Sequence, residues 1–325
     1  MTKNPKIVYM GTPDFAVHGL GSLIKNGFNV VAVVTAPDRP AGRGQKTSQS
    51  AVAKYASEKQ LKLLQPENLK DEAFINSLWK LSPDIAIVVA FRMLPESVWR
   101  IPKIGTFNLH ASLLPQYRGA APINHVLING ETETGITTFL IDDKIDTGNI
   151  LYRKKLNISH SENAGELHNR LMIAGSELLI KTVNMLSEGS VKPLSQDNFI
   201  SENEVLRSAP KIFPYDCFIN WTDKGNTIYN FVRGLSPYPG ARTYFKKGDK
   251  KILVKILEGQ HRELSNAGKP GILKSDHKGK MYVSTGDGDF ELIIIQPEGK
   301  KVMRVSEYLR GTDPHSISIF TDPQA

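Results

Sequence analysis

Within Thr106-Phe107-Asn108-Leu109-His110, an amide and an imidazole stand two residues apart. On a β-strand that spacing turns both side chains to one face. An Asn amide donates to a carbonyl oxygen, and a His ring moves a proton near neutral pH. Asn108 and His110 are therefore a candidate catalytic pair. The plainer alternative is a histidine satisfied by backbone, since the chain holds 8 histidines. Ala111 to Pro122 follows, a loop with two prolines, one glycine and a lone Arg118. It can line a pocket or simply connect two elements. Asp142, Asp143 and Asp146 lie in the stretch that ends at Thr147-Gly148. A carboxylate brought beside His110 would orient its ring. The alternatives are a turn capped by Asp side chains and a metal site, although the spacing matches no known metal loop.

The elements that must position these groups are legible as alternating patterns. Lys6 to Met10 is a short apolar run, and Phe15 to Lys25 reads as a helix closed by Asn26-Gly27. Asn29 to Thr35 and Asp84 to Ala90 read as buried strands. Helix is expected from about Ser50 to Glu58, over Ile123 to Ile128 and from about Ala164 to Leu186. Further strands are expected at Thr106 to His110, Thr134 to Ile141 and Ile150 to Ile158. The alternation predicts an α/β fold with a doubly wound parallel sheet, whose ligand crevice lies at the carboxyl ends of the strands. Gly11-Thr12-Pro13-Asp14 follows the first strand without the Gly-x-Gly-x-x-Gly pattern, and no phosphate-binding P-loop is present. A tight strand-to-helix turn is the better reading there.

After about Gly189 the texture changes. Lys192 to Pro210 keeps no period and reads as a linker. Short β-like runs follow at Lys251 to Leu257, Lys280 to Ser284 and Phe290 to Ile295, separated by glycine turns. They predict a small OB-like barrel, a fold suited to nucleic acid. Of the chain's 41 basic and 33 acidic residues, 22 and 20 lie in residues 1–204, so most of the net charge of +8 falls on the second part. A basic domain beside a near-neutral one points to a polyanionic partner, against the alternative of an ordinary lysine-rich surface. The loop from Pro37 to Lys46 adds Arg39, Arg43 and Lys46, with Gly42 and Gly44 flanking Arg43. It would clamp phosphates, or it is a solvated connection.

Several classes are excluded. A single cysteine, Cys217, allows neither an internal disulfide nor a multi-cysteine metal site. The longest uncharged apolar run, Ile85 to Phe91, is far short of the ~20 residues of a membrane span. Met1 to Lys6 carries no apolar secretory core, so a cytoplasmic protein is expected.

Taken together, the segments resemble the methionyl-tRNA formyltransferase family. The resemblance rests on GTPDFA (11–16), APDRPAGRGQK (36–46), NLHASLLPQYRGAAPI (108–123), ETGITTFLIDDKIDTG (133–148), Ser236-Pro-Tyr-Pro-Gly240 and Gly299-Lys-Lys-Val-Met303. It implies a Rossmann-like formyl-transfer domain over 1–190, a linker over 191–210 and an OB-like, tRNA-binding barrel over 211–325. It implies formyl transfer from 10-formyltetrahydrofolate to the α-amine of methionyl-initiator-tRNA, by a cytoplasmic monomer that needs no metal and no membrane. Asn108, His110 and Asp146 match the family's catalytic positions, and Ser112, Leu113, Leu114 and Pro115 its folate-binding stretch. Arg43 matches a loop arginine that reads the tRNA acceptor end. Two departures stand out: Lys144 replaces a common glycine, and the Ala90 to Pro95 loop is one residue shorter than usual. The rivals are a glycinamide ribonucleotide formyltransferase, an amino-sugar nucleotide formyltransferase, and a nucleic-acid-binding protein with a dead site. The basic second domain argues against the first, and the intact Asn108, His110 and Asp146 against the last.

Overall fold

The structure is a computed structural model that describes residues 4–41, 46–264, 268–276, 279–313 and 316–320. In chain order its elements are β1 (Ile7–Gly11), α1 (Asp14–Lys25), β2 (Val30–Val34), β3 (Arg39–Ala41), β4 (Lys46–Ser48), α2 (Ala51–Glu58) and β5 (Leu63–Leu64). Next come α3 (Glu72–Leu81), β6 (Ile85–Val89), α4 (Glu96–Trp99), β7 (Gly105–His110), α5 (Pro122–Ile128), β8 (Glu133–Leu140), β9 (Ile150–Asn157) and α6 (Ala164–Glu188). After two short 3-10 turns (Gln196–Phe199, Pro214–Cys217) the chain forms α7 (Gly225–Leu235), β10 (Ala241–Lys247), β11 (Lys250–Glu263) and β12 (Leu273–Ser275). It continues through β13 (Met281–Ser284), β14 (Gly288–Pro297), β15 (Met303–Arg304), α8 (Val305–Leu309) and β16 (Ser318–Phe320). These elements form two compact units. One holds the residues up to Gly119, Glu133–Asn157 and His168–Ser208, and the other holds Ala120–Thr132, Ile158–Leu167 and the chain from Ala209 on.

In the first unit a seven-stranded sheet has the order β5-β2-β1-β6-β7-β8-β9. The expected parallel, doubly wound arrangement covers β5 to β7, while β8 and β9 extend it antiparallel as a hairpin. Every residue of β1 and β6 is buried, as expected for strands covered on both faces. Gly11 ends β1 where a Cβ would run into the Ala16 methyl and the Val89 carbonyl, so the turn into α1 needs glycine for space. That supports the turn reading of Gly11 to Asp14. Ser50 caps α2 by accepting the Ala53 N–H at 3.0 Å, and its hydroxyl meets that of Thr35 at 2.8 Å. α3 is not among the expected elements; Asp71 caps it by accepting the Ala73 N–H.

The second unit is an antiparallel, near-barrel sheet of order β12-β13-β14-β11-β10-β16, with β15 pairing to β14. Its core gathers Trp221, Ile228, Phe245, Val254, Phe290 and the free Cys217. Two stretches from within the expected first domain belong here. Arg233, 8% exposed, donates to the carbonyls of Glu162 at 3.1 Å and Ser159 at 3.4 Å, and Asn124 donates to the Gly234 carbonyl at 2.7 Å. These bonds tie residues 158–167 and α5 to α7. At the start of α7 the Gly225 N–H donates to Asp287 at 2.7 Å. Partial burial works against the charge on Asp287, but the Gly225 N–H, His261, Thr285 and Lys224 outweigh it and hold the carboxyl below its ordinary range. The segment expected as a linker, 191–210, joins the first unit as far as Ser208.

Candidate active site

β7 places Asn108 and His110 on one face, as their spacing predicts. His110 is 7% exposed, and its Nε2 lies 2.9 Å from the Tyr117 carbonyl. A carbonyl can only accept, so Nε2 carries the hydrogen and the neutral ring leaves its lone pair on Nδ1. Nδ1 faces Asp146, whose Oδ2 is 3.8 Å away. That is too long for a direct hydrogen bond but close enough for charge to act. Asn108 is half-buried, and its amide has no hydrogen-bond partner among the described residues. A free amide donor thus stands beside the imidazole.

Asp146 arrives by a route that a parallel-sheet reading does not suggest. Phe107 pairs with Leu140 and His110 with Thr137, so the loop leaves β8 beside Phe107 and turns back to reach His110. Asp146 sits at φ 55, in the left-handed region, and its Oδ2 accepts the Gly119 N–H at 3.0 Å. The other two carboxylates are placed differently. Asp142 accepts from the Thr147 hydroxyl at 2.8 Å and the Lys144 N–H at 3.1 Å, as the turn-capping alternative expects. Asp143 is exposed, and no cluster of metal-ligating groups occurs among the described residues.

The Ser112 to Pro115 stretch is built into the scaffold. Ser112 and Leu114 are fully buried, and the Ser112 hydroxyl donates to the Gln116 carbonyl at 2.6 Å. Thr137 braces the turn by donating to the Ser112 carbonyl at 2.7 Å and accepting the Leu114 N–H at 3.1 Å. Leu113 occupies the space that a Cβ on Gly135 would fill, and Pro115 is buried. The stretch therefore shapes the wall beside His110 through its fold rather than through free polar side chains. In the short Ala90 to Pro95 loop, Arg92 donates to the carbonyls of Pro66 at 2.7 Å and Glu67 at 2.9 Å. Burial, and then Arg39, push its guanidinium below the ordinary value. Lys144 is exposed. Arg43 lies outside the described residues, as do Gly42, Gly44 and Gln45.

Gln196 joins the site without any sequence pattern that marks it. It lies in the expected linker and is 2% exposed, and its Nε2 donates to the carbonyls of Asp146 and Gly148, each at 2.9 Å. Its Oε1 accepts from Arg118, Nε at 3.1 Å and Nη2 at 2.7 Å. Arg118 thus serves this contact. A lone glutamine in an aperiodic segment offers no pattern from which the role could be read.

Residues 5–183 match the formyl transferase family, and residues 211–313 its C-terminal domain. A methionyl-tRNA formyltransferase from Bacteroides fragilis is 48% identical over 307 residues, covering 94% of each chain. One from Phocaeicola vulgatus is 49% identical over 311 residues, covering 95% of this chain and 96% of its own. The chain belongs to the methionyl-tRNA formyltransferase family. In fold it is also similar to an N-formyltransferase from Helicobacter canadensis, solved in complex with folinic acid and dTDP-3-aminofucose. That match has a TM-score of 0.64 at 21% identity and covers 89% of this chain and 98% of the other.

Proposed function

We propose that the chain transfers the formyl group of 10-formyltetrahydrofolate to the α-amine of methionyl-initiator-tRNA, in the cytoplasm and as a monomer. The observation that carries the mechanism is the convergence of Asn108, His110 and Asp146. An α-amine has a pKa of ~8, so a usable neutral fraction exists at pH 7. It attacks the formyl carbon, and negative charge develops on the formyl oxygen. The unpartnered Asn108 amide donates to that oxygen. This attack forms the new carbon–nitrogen bond, and collapse of the oxyanion then breaks the bond to the folate nitrogen. The amine loses a proton and the leaving nitrogen gains one, and His110 Nδ1 is the ring position open for that exchange. Asp146 holds the imidazole by charge and assists removal of the amine proton. The loop wall from Ser112 to Pro115 borders the folate. The deciding experiment is formylation of charged initiator tRNA with 10-formyltetrahydrofolate, run beside charged elongator tRNA and an amino-sugar nucleotide. Selective turnover of the initiator supports the reading, and preference for the sugar nucleotide sinks it.

The tRNA partner is supported by the outer face of β10 and β11. There Arg242 stands opposite Lys255 and Lys246 opposite Lys251, with Tyr244 between them. Tyr244 stacks on Phe218 with centroids 5.3 Å apart. Phosphates along this strand pair would meet the row of basic side chains at Arg242, Lys246 and Lys255. Lys246→Ala is expected to weaken binding of any tRNA and to lower the salt slope by ~1, read from titrations at several salt concentrations. An unchanged slope removes Lys246 from the phosphate contacts.

Arg43, on the reading that its loop serves the acceptor end, gives a separable expectation. Arg43→Leu should lower formylation much more than folate binding, measured by turnover and by equilibrium titration. Saturating charged tRNA should protect the bonds after Arg43 and Lys46 from trypsin. Normal formylation by the variant would make the loop a bystander.

A further inference from the structure

We propose that Gln196 is a positioning residue for the transfer, and that residues 196–208 form a strap that registers both proton-handling side chains. The inference rests on the reading that His110 and Asp146 carry the proton steps. An amide side chain offers two hydrogens and two lone pairs. Gln196 uses all four: both hydrogens go to the carbonyls that flank Thr147, and the oxygen takes two N–H groups of Arg118. Its burial removes water as a competitor for these bonds, and a fully satisfied buried network specifies one geometry.

That geometry matters because the backbone at Asp146 is unfavourable by itself. A non-glycine residue in the left-handed region costs on the order of 1–3 kcal/mol and persists only where its surroundings hold it. Pinning the carbonyls of Asp146 and Gly148 fixes the Asp146–Thr147 and Gly148–Asn149 peptide planes. The first of these sets ψ at Asp146 and, together with its φ, the direction of the side chain toward His110. A hydrogen-bonded loop released from both anchors relaxes toward an ordinary turn and carries the carboxylate away from Nδ1.

The same strap reaches the histidine by a second arm. The Arg207 carbonyl accepts the Tyr117 N–H at 2.7 Å, and the Arg207 N–H donates to Gln116 Oε1 at 2.9 Å. Tyr117, at φ 60, turns its own carbonyl onto His110 Nε2. Gln116 Nε2 also donates to Glu204 at 2.7 Å. One segment of chain therefore sets the carboxylate through Gln196 and the imidazole tautomer through Arg207 and Tyr117. Displacement of a reacting group by about 1 Å costs ~10²-fold in rate.

The test is Gln196→Glu in the full chain, alone and combined with Asp146→Asn. Glutamate keeps the shape and the acceptor for Arg118 but sets an oxygen against two carbonyl oxygens. The expected result is a fall in kcat of ~10- to 10²-fold, with KM for both substrates within about threefold. In the Asp146→Asn background the same change should cost less than about twofold, because its effect passes through Asp146. Should Gln196→Glu not fold, Gln196→Ala, which removes the donors without adding a repelling oxygen, is read by the same criteria. A folded variant with wild-type kcat overturns the proposal, as does an undiminished loss on top of Asp146→Asn. Full activity of Asp146→Asn alone would instead overturn the underlying reading.

Discussion

His110→Ala and Asn108→Ala are each expected to lower kcat by ~10²–10⁴-fold, the usual cost of losing a proton-transfer group or an oxyanion donor. The protein should stay folded. The Asn108 amide makes no internal hydrogen bond among the described residues, so nothing buried is orphaned by its removal. His110 gives up one bond, to the Tyr117 carbonyl, and leaves a small void beside Phe139. A thermal melt checks the fold, and single-turnover formylation of charged initiator tRNA reads the chemistry. The two losses should be less than multiplicative in the double variant, because both residues act on one transition state. Near-normal turnover in either folded single variant would remove that residue from the mechanism.

Asp146→Asn should be impaired to a comparable degree. The amide keeps the size and an acceptor for the Gly119 N–H, so the loop closes as before and only the charge facing Nδ1 is lost. The neighbouring aspartates form internal controls. Asp142→Asn retains an oxygen for the Thr147 hydroxyl and the Lys144 N–H, and Asp143 is exposed. Both variants should formylate within a few-fold of the wild type. Equal losses at all three positions would mean a shared metal or structural role, and chelator treatment would then separate those two.

The amino-acid sequence by itself determined more than the fold class. Strand–helix alternation over the first part defines the doubly wound sheet, because continuous apolar runs such as Ile85–Val89 are stable only when covered on both faces. The two-residue spacing of Asn108 and His110 fixes their common face by strand geometry alone. The charge asymmetry between the two parts follows from simple counting. All of these are local or additive properties.

What the tertiary structure decided depends on contacts between residues far apart in the chain. Which of three aspartates meets His110 depends on an antiparallel β8 whose direction no residue pattern specifies, and on a loop that doubles back. The membership of α5 and residues 158–167 in the second unit depends on Asn124 and Arg233, whose hydrogen bonds join positions 110 and 71 residues apart. Gln196 reads as linker because its four bonds go to residues 118, 146 and 148, and it has no periodic neighbours. A buried polar side chain is defined by its partners, and those partners come together only when the chain is folded.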